Sequence, residues 1–141
     1  MYYKFYLVLL MFKYFNPNPI YDGKNKTWKH VDCTVRSICA ATDKSWREVY
    51  KLLSDVGLKE YVMPNDMIAY IKVISSLGFK SVKKCKKGQT KVKDIANRSK
   101  KENKVFLCKV KNHVVCCKNG DILDTWDSSE QLVTQYWEKQ E

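Results

Sequence analysis

The chain predicts an α+β protein, with N-terminal helices packed on a C-terminal antiparallel sheet. Three observations lead there. Up to about residue 96, apolar residues recur at helical spacing, as in Val35, Ile38, Cys39 and Thr42. From Val105 onward they gather in short runs rich in β-branched residues. Asn119-Gly120 then joins two of those runs, the strongest short hairpin signal a sequence offers. Helices first and hairpin strands second is the α+β order.

Taken from the start, residues 1–10 read as an apolar extension and 11–141 as a single domain. Phe5 to Phe12 is an apolar run following Lys4, too short to span a bilayer. No small-residue cleavage site follows it. Three readings stay open: a buried strand or helix, a weak membrane anchor, or a leader upstream of a true start at Met11. In the last case residues before Met11 add little to folding. Asn16 to Lys29, with two prolines and a glycine, reads as a loop. Val31 to Thr42 reads as a helix. A second helix is expected from Ser45 to Val56, opened by a Ser45/Glu48 capping box and stopped by Gly57. Pro64-Asn65 opens a third, with Met67, Ile68, Ile71, Ile74 and Leu77 as its apolar face and Gly78 as its end. Phe79 to Cys85 reads as a short strand. Thr90 begins a short helix that turns Val92, Ile95 and Ala96 inward. Val105–Val110, His113–Cys117 and Ile122–Trp126 read as strands, and Glu130 to Glu138 as a terminal helix.

The 141 residues suit one domain with a core of its own. The formal net charge is +11. Thirteen Lys or Arg and two acids lie between Lys80 and Lys111, whereas six acids and one Lys lie between Asp121 and Glu141. The basic stretch reads as a solvated lysine-rich surface. Lysine outnumbers arginine there, and interleaved stacking aromatics are missing, so nucleic-acid binding is expected to be weak and non-specific. Of six cysteines, Cys39, Cys108, Cys116 and Cys117 sit in apolar runs, where free Cys behaves as a small hydrophobe. A reducing cytoplasm fits them better than a disulfide framework. No transmembrane span is expected, and no oligomeric state follows from the sequence.

The chemistry gathers on three residues. Cys33 opens a helix after a polar loop, where orphan N–H groups and the helix dipole favour the thiolate. A sequence-distant histidine can serve such a thiol as base. There are two histidines, His30 in the loop and His113 at the start of a strand. If Asn119-Gly120 is a two-residue turn, Lys118 pairs with Asp121, Val115 with Asp124 and His113 with Trp126. His113 and Asp124 are then diagonal neighbours on one sheet face, about 7–8 Å apart at Cα, while Asp121 and Asp127 fall on the other face. Asp124 is therefore the carboxylate able to orient the His113 ring. The expected catalytic set is Cys33, His113 and Asp124, with no cofactor and no metal. Cys108, His113, Cys116 and Cys117 make a poor zinc set, because strand alternation puts Cys116 and Cys117 on opposite faces.

The order of helix-initial Cys, strand His and neighbouring-strand Asp resembles the papain-like cysteine peptidase superfamily. Asp32-Cys33-Thr34-Val35-Arg36, Asn112-His113-Val114-Val115 and Asp124-Thr125-Trp126-Asp127 look more closely like small cysteine hydrolases carried by phages and mobile elements. Asn16-Pro17-Asn18-Pro19 looks like the start of that group, which implies a domain beginning near Met11. The pattern is also similar to bacteriocin-leader peptidases and cell-wall endopeptidases. The resemblance implies a papain-like fold and a protein or peptide substrate, with host-cell cytoplasm as the setting if the protein is phage-encoded. One departure stands out. Papain-like enzymes usually place a Gln before the Cys to help form the oxyanion hole, and no Gln precedes Cys33. Asn25, Thr27 or His30 could substitute. The same gap fits an alternative, a catalytically inactive module on this fold that binds and blocks a host or rival protein.

Overall fold

The structure, a computed structural model, describes residues 11–20, 31–82 and 88–141. The expected extension 1–10, the substitutes Asn25, Thr27 and His30, and Cys85 with its flanking lysines lie outside the described residues. In chain order the elements are β1 (Phe12–Tyr14), α1 (Cys33–Thr42), α2 (Trp46–Glu60), α3 (Met67–Ser76), β2 (Phe79–Ser81), α4 (Val92–Lys101), β3 (Phe106–Val110), β4 (His113–Lys118), β5 (Asp121–Asp124) and β6 (Gln135–Lys139). The class is α+β.

The sheet departs from the expected C-terminal antiparallel one. Its six strands run β1-β5-β4-β3-β6-β2, and β1 lies parallel to β5. Two short strands that precede the rest of the sheet in the chain, β1 and β2, form its edges. Helices cover both faces. On one, α1, α2 and α3 bury Ile38, Leu53, Tyr70 and Ile74 against Leu107, Val114, Cys116 and Trp137. On the other, α4 buries Val92, Ile95 and Ala96 against Phe106, Cys108, Val115, Cys117 and Ile122. Cys116 and Cys117 fall in different layers, as strand alternation requires. Every residue from Thr34 to Ala40 of α1 is buried. A helix without a solvent face is the central one of its layer, and α1 carries Cys33 at its first turn.

Local chemistry explains most boundaries. The Ser45 hydroxyl accepts from the Glu48 N–H at 3.2 Å and the Ser45 N–H donates to Glu48 at 3.0 Å, so the capping box opens α2. Gly57 does not stop that helix, which runs on to Glu60 and ends at Tyr61 in the left-handed region. Gly57 serves close packing instead: a Cβ there would stand 2.7 Å from the Val62 carbonyl oxygen. In α3 the buried stripe is Ala69, Tyr70, Val73 and Ile74, with Ile68 exposed. Of the expected face, Ile74 is buried and Met67, Ile71 and Leu77 pack partly buried against the same core, while Ile68 falls on the exposed side with Lys72, Ser75 and Ser76. The strand expected over Phe79–Cys85 is described only as far as Ser81, and β5 ends at Asp124 rather than Trp126.

The largest correction is the expected helix over Glu130–Glu138. Gln135–Lys139 is instead a strand, β6, between β3 and β2. Its consecutive aromatics decide this. Trp137 enters the α1–α3 layer and packs edge-on against Tyr70, at 5.9 Å between ring centroids. Tyr136 enters the α4 layer beside Phe106 at 6.0 Å. Adjacent residues can point into opposite layers only from an extended chain.

Candidate active site

Two tight hairpins place the candidate base. Lys118 pairs with Asp121 across Asn119-Gly120, both at positive φ. Val110 pairs with His113 across Lys111-Asn112, with Asn112 at φ 56°. Asn and Gly tolerate that conformation at little cost. His113 is therefore the first residue of β4, at the end of the sheet. Asp124 is the last residue of β5, and β1 holds its backbone: Tyr14 pairs with it, and the Phe15 N–H donates to its carbonyl at 2.8 Å.

The diagonal read from the hairpin register is present. His113 Nε2 lies 2.5 Å from Asp124 Oδ2. Asp124 is 3 % exposed. Its other oxygen accepts from the Thr125 N–H at 2.7 Å and from Arg36 Nη2 at 3.4 Å. With Nε2 engaged, Nδ1 is the ring nitrogen left for the thiol. Cys33 stands in the first turn of α1 at the wall of the same cleft as His113 and Val114, close enough for the His113 ring and the Val114 N–H to act on its thiol. The structure thus brings together all three residues singled out in the sequence.

The electrostatics oppose and then favour an ion pair. Burial works against charge on Cys33. The His113 ring, the Val114 N–H and the charges of His113 and Arg36 outweigh it, and hold the thiol below its ordinary value of 9.0. Burial likewise works against the His113 imidazolium, but Asp124 and Cys33 outweigh it and push the ring up to about 9. The core thiols behave oppositely. Burial pushes Cys39 up to about 12 and also raises Cys116. A hydrogen bond with Cys108, and then burial, raises Cys117.

These groups stand at a cleft of about 790 Å³ lined by Cys33, His113, Trp126, Asn16, Asn65 and Asn112 among others. The volume lies in the usual range for small-molecule and cofactor sites. Among the described residues there is no cluster of three or more His, Cys, Asp or Glu able to hold a metal ion. Compared with known proteins, the chain matches no family model, no curated protein and no solved structure.

Residue-by-residue reading of the sequence missed two side chains here. Trp126 stacks at a tilt on His113, 4.8 Å between centroids, and covers the ring while staying 42 % exposed itself. The register expected from the Asn119-Gly120 turn, which set Trp126 opposite His113, held the signal for it, although β5 itself ends at Asp124. Arg36 is 6 % exposed and reaches Asp124 from α1, a contact with no local sequence signal. Trp126→Ala is expected to leave the thermal midpoint nearly unchanged, because much of the ring already faces water. It should lower turnover by about tenfold, equal to about 1.4 kcal/mol, by admitting water to the His113–Asp124 bond. Steady-state turnover and thermal melts on the same sample check both halves.

Proposed function

We propose that the protein is a thiol-dependent amide hydrolase, a cysteine peptidase or a close relative with a papain-like arrangement. Cys33 is the nucleophile, His113 the general base and acid, and Asp124 the residue that orients the ring. The observation that carries this is the His113–Asp124 bond with Cys33 beside the ring at the wall of an open cleft.

In the mechanism, the Cys33 thiolate attacks the carbonyl carbon of the bound amide. The Cys33 backbone N–H, an orphan donor of the first turn of α1, serves in this reading as a donor to the oxyanion. The side-chain amides of Asn16, Asn65 and Asn112 at the cleft wall offer the second donor that the missing Gln would have supplied. The His113 imidazolium gives its proton to the leaving nitrogen as the C–N bond breaks, which leaves a thioester on Cys33. His113, now neutral, takes a proton from water, and the hydroxide attacks the thioester carbonyl. Acid product leaves, and the thiolate–imidazolium pair is restored. The described cysteines, all unbridged, fit a reducing cytoplasm. Among the described residues no helix is long and apolar enough to cross a membrane.

The test is the pH dependence of the site. Cys33 alkylation by brief iodoacetamide treatment, mapped by mass spectrometry, is expected to persist below the ordinary thiol range. Cys39, Cys116 and Cys117 should stay silent in the folded protein. Cys85, amid four lysines, is the comparison thiol and should label more slowly than Cys33 near neutral pH. Peptide hydrolysis should fall again as pH rises through about 9, where His113 loses its proton, while alkylation continues. His113 also links to stability. Its folded value lies above the ordinary 6.5, so its contribution is whole below about 6.5 and is lost as pH rises through about 9. A silent Cys33 beside a reactive Cys85 would favour the inactive binding module.

A further inference from the structure

We propose that Arg36 is a positioning residue of this site, tying the Asp124 carboxylate to the first turn of α1 and so setting the His113–Asp124 pair against Cys33. The inference rests on the hydrolase reading and adds a residue to it. Arg36 lies three positions after Cys33, about one helical turn away on the same side of α1. One arm of its guanidinium pairs with Asp32 and the other, Nη2, lies 3.4 Å from Asp124 Oδ1. Asp124 holds His113 with its second oxygen, and His113 stands beside Cys33 at the cleft wall. The contacts therefore form a closed ring that leaves α1 at Cys33, crosses β4 and β5, and returns to α1 at Arg36.

Asp32 supplies an independent observation. It stands at the N-cap position of α1, where Asp is among the best side chains for capping, yet it makes no capping hydrogen bond. Its carboxylate is turned to Arg36, to the Trp46 indole N–H at 2.9 Å and to the Asn18 amide at 3.5 Å. A favourable local contact is forgone to hold the guanidinium in place. The identity of the cation matters as well. A planar fork can serve two carboxylates on different elements, whereas an ammonium acts as a single point charge.

The ring of contacts has a chemical consequence. When His113 passes its proton to the leaving nitrogen, Asp124 loses its imidazolium partner. The Arg36 guanidinium keeps a cation beside that buried carboxylate through the cycle. Asp124 is then held in place for the imidazolium that forms next. The charged and titratable groups facing this ring are Asp32 and Cys33 on α1, His113 and Cys117 on β4, Asp124 on β5, and Lys109 of β3 at the cleft wall. Of these, Cys33 also feels the Arg36 charge directly, in the direction that favours the thiolate.

The experiment compares wild type, Arg36→Gln and Arg36→Lys by the pH profile of Cys33 alkylation, with circular-dichroism melts on each. In Arg36→Gln the labelling midpoint is expected to rise by about one pH unit, making labelling about tenfold slower below it. Arg36→Lys should recover part of that shift, since the charge remains and the fork is lost. Turnover of a peptide substrate should lose kcat with little change in KM. A folded Arg36→Gln with the wild-type profile would overturn the proposal and leave the hydrolase reading standing. Failure of both variants to fold would assign Arg36 to folding and also overturn it. An ordinary thiol profile in the wild type itself would remove the hydrolase reading, and this inference with it.

Discussion

Cys33→Ala is expected to bring peptide-bond cleavage down to background, a loss on the order of 10⁶-fold if the nucleophile carries the reaction as it does in other covalent hydrolases. The thermal midpoint should barely move. Cys33 is only half-buried at the rim of α1, so the truncation opens no sealed cavity. The assay digests a defined peptide mixture with wild type and variant and reads new termini by mass spectrometry. Cleavage of equal rate by both would show that Cys33 is not the nucleophile. Cys33→Ser gives a second reading. It keeps the shape and replaces the thiol with a far weaker acid, so it too should fall to near background, because the His113 pair is matched to a thiolate.

Asp124→Asn is expected to lower turnover by about 10²–10⁴-fold, the span associated with general acid–base assistance. The amide can still accept from the ring but carries no charge to support the imidazolium. His113 should then fall from about 9 toward its ordinary value, and the alkaline limb of the rate profile should move down with it. Asp124→Ala should lose more activity, and the sequence alone suggests that it leaves the fold intact. The structure alters that expectation. Asp124 is 3 % exposed and shares the buried guanidinium of Arg36 with Asp32, so its removal leaves that charge half-compensated. Breaking a buried pair costs about 3–5 kcal/mol. Asp124→Ala should therefore show a lower thermal midpoint as well as lower turnover. Equal activity in wild type and both variants would remove Asp124 from the mechanism.

How much was legible beforehand varies with the range of the interactions involved. The Ser45/Glu48 box and the Asn119-Gly120 turn are decided by neighbours a few residues apart, and both appear as read. The His113–Asp124 contact follows from the turn by counting, because side chains alternate strictly along paired strands. Gly57 misled because a glycine in a helix can mark either an end or a close approach, and the approaching backbone, Val62, becomes visible only in space. Glu130–Glu138 misled for a related reason. Its polar and aromatic residues suit either period until two layers are there to receive Tyr136 and Trp137.

The sequence by itself therefore determined the helical first half, the β3–β4–β5 strands and the one aspartate that shares a face with His113. Each of these rests on local propensity or on the two-residue period of a strand. The tertiary structure alone decided the strand character of β6, the closing of the sheet edges by β1 and β2, and the docking of α1 that brings Cys33 to His113. It also decided the reach of Arg36 to Asp124, 88 positions away in the chain. Contacts of that span carry no periodic trace in the sequence. They form because burying α1 between the sheet and α2 takes Thr34 to Ala40 out of water, and that burial fixes where its first turn must lie.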